Sequence, residues 1–130
     1  VTDTDLPDDL LDLERARVDA RRVLDEFVCA VEVRQRAEFP TEEQLLERRT
    51  WPATDEEQHA VLQAAYRRAA DAVRAHPMLV EADAERRLWA VEEKLRQQVP
   101  QVLVVVRRGN DGAEQVVTLL GGVEVELQGV

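Results

Sequence analysis

Val102-Leu103-Val104-Val105-Val106-Arg107-Arg108-Gly109-Asn110-Asp111-Gly112, followed by Val116-Val117-Thr118-Leu119-Leu120-Gly121-Gly122-Val123-Glu124-Val125-Glu126-Leu127, decides the fold class of this chain. Val102–Val106 is a continuous aliphatic run of strand length, rich in β-branched residues. Gly109-Asn110-Asp111-Gly112 and Gly121-Gly122 supply the residues that tolerate left-handed backbone, so each marks a turn between strands. The stretch 101–128 therefore reads as a three-stranded antiparallel meander. Its first two strands are apolar on both faces, and both faces want cover. Its third alternates Val with Glu, which suits a solvent-facing edge protected from aggregation.

From about Asp8 to Gln98 the chain reads as helices, interrupted at Pro40, at an extended Trp51-Pro52 and at His76-Pro77. Leu6, Leu10, Leu13, Ala20, Leu24, Phe27 and Val31 recur at three- and four-residue steps and predict one long helix from about Asp8 to Ala37, flanked by Ala16, Val23 and Val28. Arg17 interrupts that series. Thirty residues of helix span about 45 Å, whereas a compact chain of this size has a radius of gyration of about 14 Å. The helix is thus expected to protrude, kink or share its stripe with a second chain. Pro40 ends it. Thr41-Glu42-Glu43-Gln44 is a capping box that opens a short helix to about Arg49. Thr54-Asp55-Glu56-Glu57 is a second, opening a helix to about Ala75 with Leu62, Tyr66, Ala69 and Val73 inward. After His76-Pro77 a last helix is expected from about Met78 to Gln98, with Val80, Ala84, Leu88, Val91 and Leu95 inward. The last two helices should form an antiparallel hairpin.

The predicted fold is α+β and predominantly helical: one long N-terminal helix, a short helix, an antiparallel helical hairpin and a C-terminal meander. One domain is expected over 1–130, with a mobile acidic tail at 1–7, the helical part at 8–99 and the meander at 101–128.

The chain of 130 residues carries 17 basic against 27 acidic side chains, a formal net charge of −10. This acidity opposes binding to nucleic acid or to anionic membranes and is compatible with a basic protein partner. No apolar run approaches the roughly 20 residues of a membrane span. Cys29 is the one cysteine, so no disulfide framework exists within the chain. With no basic and apolar leader pattern at the N-terminus, a cytoplasmic setting is expected. Richness in Ala, Arg and Val, with Lys94 the one lysine, suggests a high-GC bacterial genome.

No catalytic, metal or nucleotide motif stands out, and no cofactor is expected. Glu56-x-x-His59 has the spacing of a di-iron carboxylate motif, but two histidines cannot complete that site, and a solvated helical turn explains the pair. Cys29 lacks an activating base, which favours a small semi-buried apolar role. His76 sits where a helix C-terminus would be capped. Asp3, Asp5, Asp8, Asp9, Asp12 and Glu14 form an acidic block that serves solubility or docks a basic surface. Gly109–Gly112 lacks the lysine and helix of a phosphate loop.

Trp89 lies nearly opposite the Leu88–Val91–Leu95 stripe, with Met78 and Ala82 on the same side of the expected helix. Either the meander covers that side or Trp89 anchors a partner. Leu11, Val18 and Val33, off the main stripe of the first helix, complete the partner-contact set. The leading expectation is a non-enzymatic interaction, regulatory or adaptor module, most simply a homodimer. A ligand site or enzyme centre between helices and sheet, using His59, His76 and Tyr66, is the alternative. A nucleic-acid reading rests on Arg15, Arg17, Arg21, Arg22, Arg34 and Arg36, which interleave with acids and lack a helix-turn-helix signature.

Overall fold

The computed structural model describes residues 6–125. Helices α1 (Asp8–Glu38), α2 (Leu45–Arg49), α3 (Ala53–Arg74), α4 (Pro77–Ala84) and α5 (Leu88–Gln98) precede strands β1 (Val102–Arg108), β2 (Glu114–Leu120) and β3 (Val123–Val125). A 3-10 turn at Glu42–Gln44 leads into α2. The strands form an antiparallel sheet in the order β1-β2-β3. This is the α+β, mostly helical architecture expected. Residues 1–5 of the expected tail and 126–128 of the expected meander lie outside the described residues. At the tail's other end the expectation is corrected, because Leu6 is 7% exposed and joins the core while Pro7 caps α1.

The long helix neither breaks nor stands alone. It is a spine with α3 along one side and the sheet along another. Three contacts fix the antiparallel register of α1 and α3: Arg34 bonds to Asp55, Arg17 reaches Tyr66, and Leu10 shares a cluster with Val73; just before α3, Trp51 meets Phe27 edge-on at 6.2 Å. Three more place the sheet: Arg17 to Gln101, Glu26 to Thr118, and Arg36 to Glu114. Being covered on two sides, α1 buries more than one stripe. Leu10, Glu14, Val18, Leu24, Val31 and Gln35 are all buried. The single apolar stripe read from the sequence is corrected at Glu14, Val18 and Gln35, while Ala16 is exposed.

Buried Gln35 has a structural task. Its amide nitrogen donates to the Thr50 carbonyl at 2.9 Å and to those of Glu47 and Arg48 at 3.3 Å, gathering the carbonyls at the C-terminal end of α2. The Thr41–Gln44 capping box forms as expected. The second box does not. Pro52 stands at the N-cap of α3 without a side-chain cap, and Asp55 bonds to Arg34 instead.

The expected helix from Met78 to Gln98 is two helices. Arg86 adopts φ +60°, and around it the Arg87 N–H donates to the Ala82 carbonyl and the Arg86 N–H to that of Asp83. These bonds make a Schellman stop, with arginine at the left-handed position that glycine favours. The break resets the helical phase. Leu79 and Ala82 therefore face the core, while Val80 is 56% exposed and Ala84 is also exposed. An arginine Cβ in this conformation is strained. Arg86→Gly should raise stability by about 0.5–1 kcal/mol, read as a higher urea midpoint at unchanged slope.

The largest apolar cluster lies where the N-terminal end of α1 meets the C-terminal end of α3 and helices α4 and α5. Leu6, Leu10, Val73, Leu79, Ala82, Val91 and Leu95 form it, with Leu11, Leu13, Met78 and Leu88 packed against them. In the sheet, Val104 lies opposite Thr118 and Leu103 opposite Leu119. The face carrying Glu114, Val116 and Thr118 turns toward α1. The opposite face carries Leu103, Val105, Val117 and Leu119; Leu103 is exposed there, whereas Val117 on the central strand is buried. Glu124 of β3 lies on that outer face and pairs with Arg107 across it, as an acidic solvent-facing edge should.

Candidate functional site

A cleft of about 310 Å³ opens between α1, α3 and α5. Its polar centre is Glu14, 3% exposed, which Arg17 clamps through Nε at 2.8 Å and Nη2 at 2.6 Å. The hydrogen bond and charge of Glu14 raise the pKa of Arg17 further, so the guanidinium stays charged at any working pH. Arg17 Nη1 reaches the Tyr66 hydroxyl at 3.4 Å and Nη2 reaches Gln101 Oε1 at 3.5 Å. Arg21 lies over the Tyr66 ring, 5.3 Å from its centroid, and holds the phenol from outside. Ala70, Val73, Leu79 and Leu95 line the apolar side, and Arg74, Arg96 and Glu92 complete the lining.

The partner-contact residues named from the sequence do not form one surface. Trp89 is 72% exposed, so the meander does not cover it. Ala82 is wholly buried and Val18 nearly so; neither is available to a partner. Met78 and Leu11 are half-buried against the core, and Val33 is half-buried on α1. The grouping of Met78 and Ala82 with Trp89 assumed one continuous helix, and the break at Arg86 separates them.

Of the residues considered for a ligand site, only Tyr66 lines the cleft. His59 packs its ring against Trp51, with centroids 5.2 Å apart. Glu56 is exposed, and among the described residues no group of three or more His, Cys, Asp or Glu side chains is placed to hold a metal ion. His76 caps the start of α4 rather than the end of α3. Its Nδ1 accepts from the Met78 N–H at 3.1 Å, which leaves the ring proton on Nε2 to face Asp9 at 3.1 Å.

Cys29 is half-buried. Burial, then Glu32 and Asp25, push its thiol pKa up. A raised pKa leaves less thiolate at neutral pH than an ordinary cysteine carries. Iodoacetamide should accordingly alkylate the folded chain at pH 7 several-fold more slowly than the urea-unfolded chain. Equal rates would contradict this placement.

The six arginines of α1 all meet carboxylates. Arg15 pairs with Asp12, Arg17 with Glu14, Arg21 with Asp25, Arg22 with Asp19 and Glu26, Arg34 with Asp55, and Arg36 with Glu114. A phosphate backbone would have to compete with each pair. Within the acidic block, Asp9, Asp12 and Glu14 engage His76, Arg15 and Arg17, while Asp3 and Asp5 lie outside the described residues. The Arg36 guanidinium holds the Glu114 carboxyl below its ordinary range. This contact between α1 and the sheet adds stability above that range and loses it as pH falls through the lowered value.

None of the described helices is long and apolar enough to cross a membrane. No known protein family, curated protein or solved structure matches this chain.

Proposed function

We propose that this chain is a non-enzymatic protein–protein interaction module that pairs with a second copy of itself through the open edge of β1. The observation that carries this reading is the character of that edge. β1 lies at the side of the sheet, and its first five residues are aliphatic, with neither proline nor charge among them. Natural edge strands are ordinarily blunted by such residues. Leu103, on the outer face, is 59% exposed.

The phase of the ladder says which groups are unpaired. The Gly109 N–H donates to the Ala113 carbonyl at 2.8 Å, and partners in this hairpin alternate between bonded and non-bonded pairs. Leu103, Val105 and Arg107 therefore bond to β2. Val102, Val104 and Val106 aim their N–H and C=O groups at the open edge, and among the described residues nothing meets them. A twofold axis at Val104 sets Val102 opposite Val106 of the second copy and Leu103 opposite its Val105. Every apolar residue then faces an apolar one, and Arg107 falls opposite Gln101 rather than another charge. This self-complementarity favours a second copy over a basic partner. One half-buried cysteine suits a reducing cytoplasm.

Hydrogen exchange tests the pairing. The amides of Val104 and Val106 should become protected as protein concentration rises, while those at Asn110 and Gly112 stay fast. Unprotected exchange at Val104 and Val106 in millimolar protein would refute the edge contact.

A further inference from the structure

We propose that the cleft between α1, α3 and α5 binds a small organic anion with one carboxylate or phosphate head on a compact apolar body. Its volume of about 310 Å³ falls at the small end of ligand sites. The fold does not need the charges at its centre. Glu14 continues the buried row of Leu10 and Val18, where an aliphatic residue would pack without desolvating an ion pair. Local departures of this kind gather at functional sites.

The lining also has a directional charge pattern. Three guanidinium groups converge from three helices, Arg17 of α1, Arg74 of α3 and Arg96 of α5, in a chain of net charge −10. Glu14 neutralises Arg17. Arg96 pairs with Glu93 at an exposed position, where such a pair is weak. The Arg74 side chain makes no hydrogen bond or ion pair among the described residues, so it is the cation left for a ligand. The C-terminal dipole of α3 favours a cation at this position, but it leaves the donors of Arg74 unused. Glu92 on the same lining opposes a second negative charge, which limits the ligand to one anionic head. The Tyr66 hydroxyl and Gln101 amide offer hydrogen bonds midway, and Val73, Leu79 and Leu95 receive the apolar body.

Calorimetric titration of the full chain with benzoate, phenyl phosphate and benzyl alcohol tests the site. At least one of the two anions should bind one per chain with a dissociation constant below about 1 mM. Whether one or both bind assigns the head. Benzyl alcohol, matched in body but uncharged, should not saturate in that range. Arg74→Gln, at an exposed residue with no partner to lose, should keep the fold and weaken the anion about tenfold or more. The proposal is overturned if neither anion saturates below about 1 mM, if the alcohol binds as well as the anions, or if Arg74→Gln binds like the unaltered chain.

Discussion

Arg17→Ala should lower the unfolding free energy by about 3–5 kcal/mol, the largest loss expected from any single polar substitution in this chain. The reason is the residue it leaves behind. Glu14 is buried on the spine helix, and its two oxygens are held by Arg17 Nε and Nη2. Without that guanidinium a carboxylate is stranded out of water, and desolvation is no longer offset. Removing both partners tells the pair's own worth apart from this penalty. The double substitution Glu14→Leu with Arg17→Met should stay within about 1 kcal/mol of the unaltered chain or exceed it. Urea unfolding of the three proteins at neutral pH reads this. A double variant as weak as Arg17→Ala would mean that the pair stabilises the fold outright.

Leu103→Lys should separate the two copies without unfolding either. Leu103 is exposed on the outer face of an edge strand, so the change costs the single chain within about 0.5 kcal/mol. In the paired state each lysine meets Val105 of the other copy, and the symmetry of the contact counts the change twice. At about 1 kcal/mol for each cross-strand pair, the loss is about 2 kcal/mol, or roughly thirtyfold in dissociation constant. Trp89→Ala serves as the contrast. It removes the exposed aromatic of α5, which is outside the edge contact, and should leave association unchanged.

The sheet was the most legible part of the chain because its signals are local. Gly109–Gly112 and Gly121-Gly122 mark turns by backbone chemistry, and the runs between them are strand-like whatever packs against them. The start of α2 was legible for the same reason, since its capping box needs only Thr41 and Gln44. Less legible were features set by tertiary packing. Glu14 and Gln35 are polar and carry no apolar signal, yet α1 is covered on two sides and buries them with specific partners. The stop at Arg86 carries neither glycine nor proline, so the two helices α4 and α5 read as one, and Trp89 was grouped with Met78 and Ala82.

The cleft was illegible as a unit, because Glu14, Tyr66, Arg74, Arg96 and Gln101 come from three helices and the start of the sheet. One trace of it was present. Arg17 broke an otherwise apolar helical series, and that interruption marks the buried pair at the centre of the cleft. Nothing local to Tyr66 points to Arg17, which lies 49 residues away in the sequence.

Equilibrium sedimentation of the unaltered chain beside Leu103→Lys tests the central claim most directly. The chain mass is 14.8 kDa. The account predicts twice that mass for the unaltered chain at micromolar concentration and the single mass for Leu103→Lys under the same conditions. A single mass for the unaltered chain, or a doubled mass that survives Leu103→Lys, would contradict pairing through the edge of β1.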